Sequence, residues 1–357
     1  MSEMKTLSPK KVFDAVKSCF ESQIPVMIWG PPGVGKSAVV ESLGRATNRN
    51  VIDLRLLLMD PTDLKGIPFF NTENSKMEWA PSAELPQDKD SNDILFLDEI
   101  NAANPQVQAA AYQLVLNRRI GQYKLPEGVS IVAAGNREND RGIVYTMPSP
   151  LSNRFLHIEM ESNFNDWMDW AIESNVHNDV VAYLSYSQDD LFNFDPKSNH
   201  KAFATPRTWE YTSNILKSNP ADSVVRALVA GCIGDGLTHS FMNHRKIADS
   251  LPDASKILDG SITKIDEKSV SVVHTIITSL CSEMNQMFNV KNEEDRISEK
   301  ERVFVQNNFV NFLINNFDAE HVVVGIVSVK KRYKINIEWE KLEAFDTLFE
   351  KYSDVIM

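Results

Sequence analysis

The octapeptide GPPGVGKS, residues 30–37, constrains the fold more strongly than any other stretch of the chain. It has the spacing of a phosphate-binding loop, and it lies between a short apolar run, IPVMIW, and a helical stretch, SAVVESLGRA. In such a loop, backbone N–H groups surround a phosphate at a helix N-terminus, a lysine reaches the β and γ oxygens, and a hydroxyl binds Mg²⁺. We therefore expect ATP and Mg²⁺ as cofactors. The residues predicted to bind the nucleotide are Gly30, Pro31, Pro32, Gly33, Val34, Gly35, Lys36 and Ser37.

Two adjacent carboxylates follow the apolar run ILFL: Asp98 and then Glu99. Adjacent residues at a strand terminus point to different sides. We therefore predict that Asp98 holds Mg²⁺ together with Ser37, and that Glu99 faces the water that attacks the γ-phosphorus. Two exposed acids that merely end a strand are the alternative interpretation. Asn136 follows a further strand, VSIVAAG, from which its side chain can reach between that water and the γ-phosphate.

The order of the segments predicts an α/β fold. Apolar strand runs alternate with helical segments across residues 24–155, which indicates a parallel sheet covered on both faces. From about residue 163 onward the spacing is helical, although HVVVGIVSV at residues 321–329 fits either a strand or a helix. We predict a P-loop core at residues 1–160, an all-α domain at 161–260 and a helical C-terminal extension at 261–357.

Composition narrows the function classes. The chain has 357 residues, of which 43% are apolar, and a net charge of −12, which opposes unassisted binding to nucleic acid. The basic run Lys330, Lys331, Arg332 and Lys334 is interpreted as a solvated helix face. The three cysteines lie far apart, and neither a signal peptide nor a membrane-spanning run is evident. These features predict a cytoplasmic protein without a membrane partner.

The succession of GPPGVGKS, ILFLDEI, NRRIGQYKLPEGVSIVAAGN, LSNRF and ATPRTW resembles the AAA+ ATPases. The segments DPTDLKG, NAANPQVQAA and LPEGVSIVAAGN are similar to the MoxR group within the dynein-related AAA subgroup. The resemblance covers about residues 8–215. It implies an AAA+ core with a helical lid domain, and a homo-oligomeric ring, usually a hexamer, with ATP sites between subunits.

The resemblance also implies roles for single residues. Asn136 corresponds to the sensor-1 residue, Arg154 to the arginine finger presented to the neighbouring subunit, and Arg207 to the sensor-2 arginine of the lid. The sensor strand continues as AAGNRENDRG, where the MoxR group has a sequence closer to ATQNP. Arg137 and Arg141 therefore lie near the site, and which of Arg137, Arg141 and Arg154 acts in trans stays open.

Three uses of ATP are compatible with this sequence. The first is remodelling or assembly of a protein client by a Mg²⁺-dependent ATPase, alone or with a von Willebrand A-type adaptor. The second is a nucleic-acid motor or a nuclease-complex subunit, and the third is a nucleotide-gated scaffold. Phe69 and Phe70 are expected to pack in the margin of the sheet, the alternative being a grip on a client in the ring's pore. His239 and His244, five residues apart, are expected to be structural.

Overall fold

The computed structural model describes residues 5–137, 139–140, 145–289, 297–345 and 348–350. The chain divides into two compact units. The first runs to Asp166 and includes Asp195–Ser198, and the second comprises Trp167–Phe194 and Asn199–Met357. Each unit has its own architecture.

The first unit is built on a six-stranded sheet in which every neighbouring pair is parallel. Its strands are β1 (Thr6–Leu7), β2 (Val26–Trp29), β3 (Val51–Arg55), β6 (Ile94–Asp98), β9 (Ser130–Gly135) and β10 (Leu156–Met160). Their order in the sheet is β1-β10-β2-β9-β6-β3. Two short antiparallel hairpins accompany it: β4 (Ile67–Asn71) with β5 (Lys76–Ala80), and β7 (Arg119–Ile120) with β8 (Tyr123–Lys124).

Both faces of the sheet are buried, as expected for a parallel sheet. In β6, Leu95 and Leu97 belong to one apolar cluster, whereas Ile94 and Phe96 belong to the cluster on the opposite face. Helices supply the covering residues on each side. The helices of this unit are α1 (Pro9–Glu21), α2 (Lys36–Thr47), α3 (Pro61–Lys65), α4 (Pro105–Asn117) and α5 (Ser149–Ser152).

The β4–β5 hairpin corrects one expectation. Phe69 and Phe70 do not pack in the sheet margin, because they lie on a separate hairpin and are 43% and 58% exposed. Met77, which pairs with Phe70 across the hairpin, is 61% exposed. A two-stranded hairpin is too thin to bury apolar side chains between its own strands. Strand β3 ends at Arg55, and the chain continues as a 3₁₀ turn, Leu56–Leu58.

The described residues of the second unit form helices joined by loops and include no strand, so the predicted α/β core followed by helices is confirmed. The segment 321–329 is helical as far as Val327. Trp209, Tyr183 and Phe241 form a buried aromatic cluster in this unit. Its helices are α6 (Phe164–Glu173, which begins in the first unit), α7 (Asn178–Tyr186), α8 (Pro206–Lys217), α9 (Asp222–Ile233), α10 (Asp235–Asp249), α11 (Ala254–Leu258), α12 (Val270–Phe288), α13 (Glu299–Asn316) and α14 (Ala319–Val327).

The predictions for the basic run at residues 330–334 and for His244 have different outcomes. Lys330, Lys331 and Lys334 are largely accessible, but Arg332 in the π-helical turn Ser328–Arg332 is only partly accessible and lines a cavity. His244 is buried and hydrogen-bonded to Thr275, in agreement with a structural role. Among the described helices, none is both long enough and apolar enough to cross a bilayer.

Candidate nucleotide-binding site

The loop that joins β2 to α2 has the backbone geometry of a phosphate cradle. Gly35 has φ 104°, a left-handed conformation that favours glycine, and α2 begins at the next residue, Lys36. The amides of the first helical turn have no partner within the helix, so they are available to an anion. The predicted succession of strand, loop and helix is confirmed, because these three segments are contiguous in the chain.

Lys36 connects the loop to a neighbouring strand. Its Nζ donates to the carbonyl oxygens of Gly30, at 2.7 Å, and Pro31, at 3.1 Å. It also donates to Oδ1 of Asn136, at 2.9 Å. Asn136 directly follows β9, and β9 pairs with β2, so the two residues meet at the carboxyl edge of the sheet. Residues 100 positions apart are thereby brought into one site.

Ser37 and Asp98 form a second contact at this edge. Ser37 Oγ lies 3.3 Å from Oδ2 of Asp98, which is the last residue of β6. A hydroxyl and a carboxylate are oxygen ligands of the kind that Mg²⁺ prefers, so the residues present fit the predicted ion. Burial, and then the nearby Asp98 carboxylate, raise the pKa of Asp53, opposed by Arg55. This part of the edge is therefore electronegative.

Glu99 lies immediately beyond the strand. Its φ is 55°, a left-handed conformation that is rare for a residue with a side chain, and its amide donates to Oδ1 of Asp98 at 2.9 Å. Such backbone strain clusters at functional sites. Glu99 is only partly buried, and Asp98 and Glu99 leave the strand end with different backbone conformations.

Asn101 is a site residue that the sequence reasoning missed. It is 2% exposed, and its Nδ2 donates to the main-chain carbonyl of Asn136 at 2.7 Å. Its own carbonyl accepts from the amide of Tyr145 at 2.7 Å. Asn101 thus fixes the backbone of the residue that contacts Lys36. An asparagine directly after DEI was the signal available in the sequence, but its burial and its partner could be found only from the tertiary structure.

A histidine links the strand that precedes the loop with the turn that carries Arg154. Trp29 Nε1 donates to Nδ1 of His157 at 2.8 Å, and Nε2 of His157 lies 2.8 Å from the carbonyl oxygen of Ser152. These contacts assign the proton of His157 to Nε2, since Nδ1 is the acceptor. Ser152 ends α5, and Arg154, two residues later, is exposed.

The other predicted arginines lie in different surroundings. Arg137 forms ion pairs with Asp140, at 3.1 Å, and Glu159, at 3.2 Å, and the hydrogen bonds to Asp140 chiefly raise the pKa of Arg137. Arg141 lies outside the described residues. Arg207 is exposed in the first turn of α8, in the helical unit, behind a capping box formed by Thr205 and Thr208.

The parallel sheet, the glycine loop and the Lys36–Asn136 and Ser37–Asp98 contacts define a P-loop nucleotide-binding domain. Residues 25–155 match the family of the AAA domain, dynein-related subfamily. The chain is therefore similar to dynein-related AAA domains over these residues.

Curated relatives match about half of the chain. Midasin of Giardia intestinalis is 28% identical over 171 residues, which are 45% of this chain and 3% of Midasin. An uncharacterised protein of Staphylococcus haemolyticus is 27% identical over 195 residues, which are 51% of this chain and 69% of that protein. The chain thus spans only a small part of Midasin.

Solved structures with similar folds are distant. A mutant of RuvB from Thermotoga maritima matches with a TM-score of 0.39 and 20% identity, covering 70% of this chain and 73% of that chain. NtrX from Brucella abortus in complex with ATP matches with a TM-score of 0.40 and 11% identity, covering 91% of this chain and 66% of that chain. At these TM-scores and identities, neither similarity supports an inference about function.

Proposed function

We propose that this chain is a MoxR-like AAA+ ATPase that hydrolyses ATP to remodel or assemble a protein client. The observation that supports ATP turnover most directly is the convergence of Lys36, Ser37, Asp98 and Asn136 at one edge of the sheet, with Glu99 adjoining Asp98. A site that only held a phosphate would not require a second, strained carboxylate beside the first.

Each residue of this site has a distinct task. Lys36 leaves its contact with Asn136 and binds the β and γ oxygens of ATP. Ser37 and Asp98 would hold Mg²⁺, which would supply positive charge to the phosphoryl group that is transferred. Glu99 orients the attacking water and accepts its proton, and the Asn136 side chain, held at its backbone by Asn101, hydrogen-bonds to that water.

Arg154 is the residue proposed to act in trans. Its side chain is exposed, whereas Arg137 is neutralised by Asp140 and Glu159 of its own chain. An arginine committed to two carboxylates would have to break both pairs to reach a neighbour's phosphate. Arg154 carries no such cost. The proposed assembly is a homo-oligomeric ring, in the MoxR group usually hexameric, and the proposed role of Arg207 is that of the lid arginine.

The proposed client is a protein, engaged directly or through a von Willebrand A-type adaptor. The net charge of −12 opposes long-range attraction to a phosphate backbone. The exposed apolar hairpin β4–β5 offers a surface of the kind that binds proteins. The alternatives, work on nucleic acid or a nucleotide-gated scaffold, are separated from this proposal by experiment.

The test compares ATP binding with ATP turnover. We expect Glu99→Gln to bind Mg²⁺-ATP with unchanged affinity and to lose at least about 100-fold in turnover, since general base catalysis contributes about 10²–10⁴-fold. Glu84→Gln, the same change at an exposed glutamate of the same unit, should leave turnover unchanged. Equal turnover in wild type and Glu99→Gln would refute the role of Glu99.

The same variant can be used to identify the client. Glu99→Gln should hold ATP and retain whatever the assembly engages, so an affinity capture with ATP present should recover a protein. Recovery of DNA or RNA, with salt-dependent retention, would favour the nucleic-acid motor instead. Full cellular activity of Glu99→Gln would favour the scaffold, because ATP binding alone would then suffice.

A further inference from the structure

The segment that carries Arg154 is short and ends in an exposed turn. Helix α5 comprises four residues, Ser149–Ser152, and a helix of this length is not stable in isolation. Leu151 is buried and anchors α5 in the core. In the turn that follows, the amide of Phe155 donates to the carbonyl oxygen of Ser152 at 3.2 Å, which is at the long end of the usual range. The position of Arg154 therefore depends on contacts that other elements make with this turn.

His157, on strand β10, makes such a contact. Its Nε2 lies 2.8 Å from the carbonyl oxygen of Ser152, the same oxygen that closes the turn, and 3.3 Å from Ser152 Oγ. A carbonyl oxygen has two lone pairs, so it can accept from both Phe155 and His157. Because Arg154 lies between Ser152 and Phe155, these two hydrogen bonds fix the backbone from which the Arg154 side chain extends.

Trp29 holds the His157 ring in the orientation that this contact requires. Its Nε1 donates to Nδ1 of His157 at 2.8 Å, and the two rings are stacked with their centroids 6.0 Å apart. Since Nδ1 is the acceptor, the proton of the neutral ring lies on Nε2, which faces Ser152. Phe155 packs edge-on against the same ring, with a centroid distance of 6.4 Å. One orientation and one tautomer of His157 thus satisfy both hydrogen bonds.

Packing alone would not require a histidine at this place in β10. Met27 is paired with His157 across strands β2 and β10, and both Met27 and Phe155 belong to the apolar cluster on this face of the sheet. An apolar side chain in place of His157 could fill the same space without polar atoms that need partners. The ring instead connects the strand that leads into the phosphate loop with the turn that carries Arg154. This arrangement indicates that His157 orients the turn.

We propose that His157 is a positioning residue, which holds the Arg154 turn so that the guanidinium extends toward the ATP site of the neighbouring subunit. This inference rests on the proposed function, because it requires Arg154 to act in trans. An error of about 1 Å in the position of a group that serves the reaction can cost about 100-fold in rate. Loss of the hydrogen bond to Ser152 should therefore slow turnover at the neighbouring site and spare the ATP site of the same subunit.

The experiment uses mixed assemblies of two full-length variants. The donor carries Glu99→Gln, so it binds ATP without turnover and presents Arg154 to its neighbour. The acceptor carries Arg154→Ala, so it keeps a complete ATP site and presents no guanidinium. We expect ATP turnover in the mixture and little in either variant alone, because the donor supplies the missing arginine. An inactive mixture would refute the action of Arg154 in trans and, with it, the role of His157.

His157 is then changed in one partner at a time. His157→Met in the donor should reduce the restored turnover at least about tenfold, whereas the same change in the acceptor should leave it within about twofold. His157→Gln in the donor should retain most of the turnover, because glutamine has the length of methionine and keeps an N–H for the Ser152 carbonyl. The comparison of these two variants isolates the hydrogen bond from the loss of the ring.

Three results in an active mixture would overturn the role of His157 while leaving the proposed function intact. They are full turnover with the His157→Met donor, equal losses with the change in either partner, and equal losses with methionine and glutamine. Thermal unfolding shows which variants fold. If His157→Met does not fold, His157→Asn takes its place, since asparagine offers an acceptor to Trp29 but is too short to reach the Ser152 carbonyl. A donor with His157→Asn should show the same loss, and full turnover with it would equally overturn the proposal.

Discussion

Individual residues hold the nucleotide site together through close contacts rather than through charge alone. Gly135, the last residue of β9, is in contact with the side chain of Asn101 and with Met27. Asn101 in turn binds the carbonyl of Asn136, and the Asn136 side chain binds Lys36. One chain of contacts therefore runs from a backbone without a Cβ to the lysine of the phosphate loop.

The first prediction concerns Gly135→Ala. A Cβ at this position would lie 2.3 Å from Oδ1 of Asn101 and 2.7 Å from Cε of Met27, so both side chains must move. We expect the free energy of unfolding to fall by about 1–3 kcal/mol, as for other overpacked cores. Urea unfolding measures this change. Gly231→Ala, in α9 with nothing within 4 Å of its Cβ, should instead stabilise by about 0.5–1 kcal/mol. Equal effects of the two changes would contradict the steric account.

The second prediction concerns Asn101→Ala. The change removes the donor to the Asn136 carbonyl, so Asn136 loses its fixed position relative to Lys36. We expect turnover of ATP to fall while the affinity for ATP stays within about threefold, because the phosphate loop itself is intact. Steady-state kinetics together with nucleotide titration separate the two effects. Asn92→Ala, at an exposed site in the same unit, is the control.

At the scale of elements, the hairpin β4–β5 differs from every strand of the parallel sheet. Its strands read IPFFN and KMEWA, and Pro68, Phe70, Met77 and Trp79 share one face because alternate residues of a strand point the same way. Phe70 and Met77 are mostly exposed. An exposed apolar face of this kind contributes little to stability, because its side chains stay largely in water.

The third prediction tests that exposure. The double change Phe70→Ser and Met77→Ser should alter the free energy of unfolding by less than about 1 kcal/mol, since both side chains stay largely in water on folding. Leu64→Ala, at a fully buried residue of α3 nearby in sequence, should cost about 2–5 kcal/mol. Chemical denaturation of both variants provides the measurement. A large loss in the double variant would show that the hairpin packs in solution.

The strands of the parallel sheet could be predicted from the sequence, whereas the exposure of the β4–β5 hairpin could not. The strands at Val26–Trp29, Ile94–Asp98 and Ser130–Gly135 are continuous apolar runs, and burial on both faces of a parallel sheet requires that pattern. Helix α4 is also locally determined, because Asn104 caps its first turn, Pro105 is its first residue and alanines occupy its centre. Phe69 and Phe70 are just as apolar, yet burial depends on what lies opposite, which local sequence does not encode.

At the scale of the whole molecule, buried histidines of the helical unit make the stability of the protein depend on pH. In the described part of the helical unit, burial lowers the pKa of His177, His244 and His274 below 6.5. The surroundings of His244 show why its neutral form is favoured. Thr275 Oγ1 already donates to the Ser271 carbonyl, so Nε2 of His244 donates to Thr275 Oγ1. The buried Nδ1 of His244 has no partner among the described residues. Protonation would place a charge there without an acceptor.

The fourth prediction is a pH dependence of stability. Below about pH 6.5 these histidines gain protons in the unfolded chain before they do so in the folded unit. The unfolded state then binds more protons, so the free energy of unfolding falls as pH falls from 6.5 toward the lowered folded pKa. Urea unfolding at pH 7.5 and 5.5 should show this loss. His244→Phe should reduce it, whereas His239→Phe, at an exposed position of α10, should not.

The sequence by itself determined the phosphate loop, the strand that carries Asp98 and Glu99, and the change from an α/β core to helices, because each rests on contacts between residues close in the chain. The tertiary structure alone decided that Lys36 meets Asn136, that Asn101 supports Asn136, and that Arg332 lines a cavity. These contacts join positions from about 35 to more than 100 residues apart. Sequence spacing predicts which side chains share a strand or a helix, but packing of separate elements decides which of them meet.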